Sequence, residues 1–461
     1  MIRIFNTLSG EMENIPQKRK KSLDIFVCGP TVYDYSHIGH ARTYIAFDTI
    51  IRFLKSQKIP VYYLQNITDI DDKIIARAKE QKIDPKKLAG KFEKEYYKDM
   101  KALNINSVKK YARATDYIPQ IIKQVKTLMK KSYAYKIEGD GIYFDLSKFP
   151  EYGKLSKRTS NQAEDAVSRI DESVKKKNKG DFALWKFSIE NEPSWKSPFG
   201  DGRPGWHIED TAISEKFFGP QYDLHGGAVD LKFPHHESEI AQQEAASGKK
   251  PFVKIWMHTG FLLINGEKMS KSLGNFTTIK DFLEIYPADV LRFIIVSHHY
   301  RSPIDYSQNL ATQASASLRH IYRFNDRLSA IKNKKGLGKQ IKDILVRGNK
   351  VFTSAMSNDF NTPKAIAGIF DVMRLIEPKI WTLSRAEAKY IKKFLENNLD
   401  ILGIKLPKTA KIPTQITKIV KDRELLRSSK QFAQADVLRK KIDKLGYIIE
   451  DTPQGPIVLK I

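Results

Sequence analysis

Residues 23–68 read LDIFVCGPTVYDYSHIGHARTYIAFDTIIRFLKSQKIPVYYLQNIT. The texture changes twice along this stretch. LDIFVCGP (23–30) is an apolar, strand-like run that stops at Gly29-Pro30, ARTYIAFDTIIRFLKSQ (41–57) repeats apolar residues at helical spacing, and PVYYLQNIT (60–68) is strand-like again. Strand, helix and strand at this length predict a βαβ unit, hence a parallel sheet with ligands at the carboxyl ends of its strands. The same stretch holds the chain's one cysteine, Cys28, nine positions ahead of His37, with His40 three further on. A thiol near histidines is compatible with a nucleophile, a metal site, a phosphate-binding turn or a small buried apolar residue, and the rest of the chain must decide.

Outward from this unit, the bulk numbers set bounds. A chain of 461 residues is too long for one core and predicts two to four domains, which a hydrophobic content of 41% can fill. A single cysteine excludes disulfides within the chain and fits a reducing cytoplasm. No run of 18 apolar residues occurs and the N-terminus has no signal-peptide core, so no membrane association is expected. The 79 Lys and Arg exceed the 53 Asp and Glu, for a net charge of +26. That excess suits a polyanionic partner, although a solvated lysine-rich surface would give the same number. Residues 133–200 change to short strands and turns and read as an insertion; from 278 the pattern is helical, and LGIKLPKTAKIPTQ reads as a linker before a small tail.

Two segments look built for phosphate. His37-Ile38-Gly39-His40 follows a strand and opens a helix, where free N–H groups face an anion and glycine permits close backbone approach. Its two imidazoles share the first turn and can donate to phosphate oxygens as charge develops. A capped helix with two surface histidines would look similar. GEKMSKSLGN (266–275) sets Lys268 and Lys271 around Ser270 in a glycine-bounded loop, as for closing on a triphosphate, or as a solvated charged turn. Further on, His235 and Glu239 in HHESE are four apart, so on a helix they share a face and could hold one metal with Cys28, or form a surface pair.

HIGH and KMSKS, in this order, resemble the paired signatures of class I aminoacyl-tRNA synthetases. The likeness to the cysteinyl-tRNA synthetase family spans almost the whole chain: CGPTVYDYSHIGHAR, NITDIDDKII, GRPGWHIE, DLKFPHHESEIAQ, KMSKSLGN, ADVLRF, DFNTP and FAQADVLRKKIDKLGYIIEDTPQG. The resemblance implies a cysteine–tRNA ligase: cysteine and ATP, with Mg, form cysteinyl-adenylate, and the acyl group passes to the 3′ end of the cognate tRNA. It implies that His37, Gly39, His40, Lys268, Ser270 and Lys271 hold ATP, with both histidines and both lysines stabilising the transition state. It also implies that Thr68 and Trp206 line the cysteine pocket, with Asp230 there or near the ribose. One zinc ion per chain is implied, held by Cys28, Asp210, His235 and Glu239 and taking the substrate thiolate. Here the chain departs from its family, which has a second cysteine where Asp210 stands. The ligand charge is unchanged, but a soft donor is lost.

The fold class that follows is α/β: a Rossmann-type parallel-sheet catalytic domain at 1–115 and 200–245, with a connective insertion at 116–199. A stem-contact region with the KMSKS loop (246–310), an α-helical bundle (311–404) and a small anticodon-binding tail (405–461) complete it. A cytoplasmic monomer is expected. Two alternatives stand beside this reading: a related ligase joining cysteine to an amino sugar, which would lack the C-terminal module, and a catalytically dead tRNA-binding paralogue.

Overall fold

The run Leu23–Val27 (β1) is buried along nearly its full length, as expected for a strand covered on both faces. The computed structural model describes residues 1–15, 21–158, 175–269, 276–334, 336–407, 412–453 and 455–460. After β1 come the helix Ile38–Ser56 (α1), the strand Val61–Ile67 (β2) and the strand Lys110–Arg113 (β3). Much later follow the helix Ile208–Phe218 (α2), the strand Tyr222–Ala228 (β4), the helix His235–Ser247 (α3) and the strand Val253–Thr259 (β5). The five strands form one sheet in the order β5-β4-β1-β2-β3, and every neighbouring pair is parallel. The expected βαβ unit is therefore present, and the strand order reverses between β1 and β4. That switch point is where open α/β sheets place their ligands.

Helix α1 starts at Ile38, three residues before the apolar periodicity suggested, because His37 is extended (φ −96°, ψ 166°) and the turn closes from there. The helix is buried on most of its surface, so two of its polar side chains need internal partners. Arg42 donates to the carbonyls of His299, Tyr300 and Ser302 at 2.7–2.9 Å. Asp48 accepts from Arg292 Nη2 at 2.6 Å and Arg52 Nε at 2.7 Å, and its Oδ1 takes the backbone N–H groups of Asn106 and Ser107 at 3.2 Å. Burial alone would push the Asp48 carboxyl up, yet the two guanidinium groups hold it below the usual carboxylate range. These contacts fix the helix whose first turn carries both signature histidines.

A separate antiparallel sheet carries the strands Ala134–Ile137, Gly141–Phe144, Phe182–Phe187 and Gly202–Pro204 in that spatial order. The parallel sheet and this antiparallel sheet share one core, from Phe26 and Leu64 through Phe144 and Trp185 to Trp256. The chain divides into two compact units: residues 1–307 with 357–360, and residues 308–356 with 361–461. Within the second unit lie long helices at Gln308–Ala330, Lys339–Ser357 (all but its last residue), Thr362–Ile376 and Arg385–Ile401. Its end consists of the helices Thr414–Ser428 and Phe432–Lys444 and the hairpin Tyr447–Glu450 with Ile457–Lys460. Ile416, Ile419, Ile442 and Ile449 give this tail a small core of its own. Among the described residues, no helix is long and apolar enough to cross a membrane.

Candidate active site and metal centre

At the switch point, Cys28 follows β1 directly and Asp230 follows β4 by two residues. Between them opens a cavity of about 310 Å³, lined in part by Cys28, His37, His40, Trp206, Asp210 and Lys268. Gly29 makes the turn out of β1 possible: a Cβ there would lie 1.7 Å from the carbonyl oxygen of Asn66, so only glycine lets β1 and β2 part this closely.

The HIGH segment forms the wall at the start of α1. The rings of His37 and His40 stack with centroids 3.8 Å apart. The His37 N–H donates to His40 Nδ1 at 3.2 Å, which leaves the proton of a neutral His40 ring on Nε2. Burial, then the charge of Lys73, lowers the His40 pKa to about 4, so this imidazole is neutral at physiological pH.

The second signature comes to the same place. A Cβ on Gly39 would stand 2.8 Å from Met269 Cε and 2.7 Å from His37 Nδ1. Just past the loop, Ile38 N–H donates to Thr277 O at 3.1 Å and Ile279 N–H to Ser36 O at 2.8 Å. Lys268 Nζ meets Asp230 Oδ2 at 2.8 Å. Ser270 and Lys271 lie outside the described residues.

Four ligand-type side chains converge at the cavity floor. Atoms of Cys28, Asp210, His235 and Glu239 all lie within 4.8 Å of one another, and all four residues are buried. They come from the end of β1, the first turn of α2 and the first two turns of α3. His235 Nε2 is 3.0 Å from Asp210 Oδ2 and 3.1 Å from Glu239 Oε1, the i, i+4 geometry expected from HHESE. Burial, then the negative charges of Asp210 and Glu239, pushes the Cys28 thiol up, and burial followed by Asp210 does the same to Glu239. Neither carboxylate is paired with Lys or Arg among the described residues, and Asp210 Oδ1 and Glu239 Oε2 are buried without a hydrogen bond. Crowded acids with orphaned oxygens and no side-chain cation are what a divalent metal would satisfy. A donor set of thiolate, imidazole and two carboxylates fits zinc.

Trp206 stacks on the His235 ring at 4.4 Å between centroids. Thr68 and Asn66 both donate to Glu209, a carboxylate that sequence reasoning did not single out. Burial, then neighbouring Asp210, pushes Glu209 above the usual range. Also missed were His207, His225, His236 and His258, all within the buried layer around the four ligands. His207 Nδ1 lies 2.8 Å from His235 Nδ1. Burial, then neighbouring imidazoles, keeps His207, His225 and His236 neutral. The signal for them was present as density: seven of the chain's ten histidines fall between residues 37 and 258.

The family model described as tRNA synthetases class I (C) catalytic domain matches residues 14–316, and the DALR domain model matches residues 351–407. The cysteine–tRNA ligase of Thermococcus gammatolerans is 42% identical over 477 residues, covering 100% of this chain and 99% of that protein. That of Carboxydothermus hydrogenoformans is 40% identical over 462 residues, covering 98% and 99%. Among solved structures, Mycobacterium tuberculosis methionyl-tRNA synthetase in complex with methionyl-adenylate superposes with a TM-score of 0.61 over 83% of this chain and 89% of that one. At 16% identity this likeness shows the fold.

Proposed function

Because the chain belongs to the class I cysteine–tRNA ligase family, we propose that its cavity activates cysteine with ATP and passes the cysteinyl group to the 3′ end of tRNA. The observation that carries this reading is the Gly39 contact, where Met269 of one signature closes over the helix start of the other. Both then face one cavity with Cys28 in its floor.

ATP, with Mg, lies with its phosphates over the first turn of α1, where the positive end of the helix dipole attracts them and the His40 Nε2–H donates to them. Lys268 closes from the other side, and the resemblance assigns Ser270 and Lys271 of the same signature to the phosphates as well. Asp230 holds Lys268 ready and yields it as phosphate charge arrives. Cysteine sits with its side chain toward the floor, against Trp206 and Thr68, and Glu209 fixes Thr68 by its hydrogen bond. Cys28, Asp210, His235 and Glu239 hold one zinc ion, which when bound supplies a soft Lewis acid that prefers a thiolate to an alcohol. Positioning and charge stabilisation then carry the reaction, with no side chain required as general acid or base. The tail from 405 reads the anticodon, and the region 246–310 meets the acceptor stem. The presence of the tail favours tRNA over an amino-sugar acceptor.

An ATP–pyrophosphate exchange assay run with each amino acid tests the activation step, and aminoacylation of a tRNA pool tests the transfer. Exchange should depend on cysteine and not on serine. Equal exchange with serine, or exchange with another amino acid alone, would overturn the assignment.

A further inference from the structure

Two lysines line the cavity among the described residues, Lys268 and Lys73, and no arginine does. Lys268 Nζ is held by Asp230. The Lys73 ammonium is in no ion pair among the described residues. It lies instead beside two rings, 5.9 Å from the centroid of Tyr33 and 6.0 Å from that of Trp206. Those distances are at the outer limit of cation–π contact, so the rings flank the charge without satisfying it.

The backbone around Lys73 is pinned. Lys73 stands in the first turn of the helix Asp72–Gln81, which Asp71 caps by accepting from the Lys73 N–H at 2.9 Å. Asp72 is tied to the antiparallel sheet, its carboxylate meeting Lys186 and Arg203, each at 2.8 Å, on the strands Phe182–Phe187 and Gly202–Pro204. Consecutive side chains on a helix diverge, so an anchored Asp72 leaves Lys73 turned to the cavity.

Trp206 stacks on His235 in the cavity floor, and its ring thus reaches from the metal centre to Lys73. On the other side the charge of Lys73 is felt at His40, where it adds to burial in lowering the imidazole pKa. Cysteine held by its thiol at the floor must place its carboxylate between the two, next to the α-phosphate it attacks. The floor already carries the buried acids Glu209, Asp210 and Glu239, and a further carboxylate entering that field needs a cation.

We propose that Lys73 binds the carboxylate of substrate cysteine and aims it at the α-phosphate. This rests on the reading of the cavity as a cysteine-activating site. Lys268 belongs with the triphosphate, which leaves Lys73 as the cavity-lining cation for the amino acid. NITDIDDKII thereby supplies a substrate contact beyond Thr68.

Isothermal titration of the full chain prepared with zinc, using cysteine and then cysteamine, tests the assignment. Cysteamine keeps the thiol and the amine and lacks the carboxylate. The parent should bind cysteine about tenfold more tightly than cysteamine, as one hydrogen bond between charged groups supplies. Lys73→Met should erase that preference, lowering cysteine affinity about tenfold and changing cysteamine affinity by less than about threefold. An unchanged preference in Lys73→Met would overturn the proposal, and so would equal losses for both ligands, the mark of a merely structural lysine. Unaltered cysteine affinity with slowed pyrophosphate exchange would also overturn it, by moving the ammonium to the phosphate. A parent that binds neither ligand would overturn the reading of the cavity along with it.

Discussion

Gly39→Ala separates the chemistry of the cavity from the stability of the fold. The added Cβ would stand 2.7 Å from His37 Nδ1 and 2.8 Å from Met269 Cε. Carbon atoms settle at about 3.5–4.0 Å, so roughly 1 Å of movement is required of His37, Met269 or both. Met269 Cε is the far end of a flexible side chain and can swing away, which removes the contact between the two signatures. His37 can move only by leaving its stack on His40. A displacement of this size at a reacting centre costs about 10²-fold in rate. Helix α1 itself should lose nothing by propensity, because alanine is a better helix former than glycine, although the gain is small at its second residue. The expected result is a cysteine-dependent ATP–pyrophosphate exchange rate lowered about 10²-fold, with a melting temperature equal to or above the parent's. Exchange within threefold of the parent would refute the reasoning, and so would a loss of activity that tracks a fall in melting temperature.

Three further outcomes follow from other contacts. Asp48→Asn leaves Arg292 buried without its counter-charge and should destabilise the first unit by about 3–5 kcal/mol, read by urea titration with exchange activity as the probe. Because the folded Asp48 carboxyl lies below its ordinary range, its contribution is complete above the unfolded pKa of about 3.9 and is lost as pH falls through the folded value. The gap in melting temperature between parent and variant should therefore narrow in acid, and a gap that widens there would contradict the ion pair. Asp210→Cys gives the set of Cys28, His235 and Glu239 a second thiolate, so its zinc should outlast the parent's during dialysis against a chelator, measured by elemental analysis. Truncation before residue 405 should leave exchange nearly intact and weaken tRNA charging, and binding of tRNA to the full chain should fall steeply with salt; a salt-independent affinity would deny the charge of +26 its role.

What could be read from residues alone was whatever is local. The βαβ unit was legible because its strands and helix carry their periodicities within 46 consecutive residues, 23–68. HHESE disclosed a shared helix face for the same reason. Glu209 was not legible: it reads as one more acid at a helix start, and its meaning comes from Thr68 and Asn66, more than 140 positions earlier. His225 and His236, whose Nε2 atoms lie 3.2 Å and 3.1 Å from Cys28 Sγ, were given no role, since nothing in HGGAVDLKFPHHES tells which ring turns toward Cys28. That direction is set by Tyr222 at His225 Nδ1 and by His258, itself held by Thr7, at His236 Nδ1, which the fold alone brings together. Asp230 was placed near the cysteine or ribose, and its partner, Lys268, is 38 positions away and brought to it only by the fold.

The position of β1 has a consequence for how the chain is made. It is the middle strand, hydrogen-bonded to β2 on one side and to β4 on the other. β2 is synthesised soon after it, but β4 emerges only after roughly two hundred more residues, which at 5–20 residues per second is about 10–40 s of translation. For that interval one edge of an apolar strand has no neighbour, and such an edge pairs readily with other chains. The Cys28 thiol at its tip waits equally long for the residues that will surround it. The inserted domain, which leaves the ribosome during this interval, packs its Phe144, Phe182 and Trp185 into the same core as Phe26. It is thus placed in time, as well as in sequence, to shelter a half-built sheet.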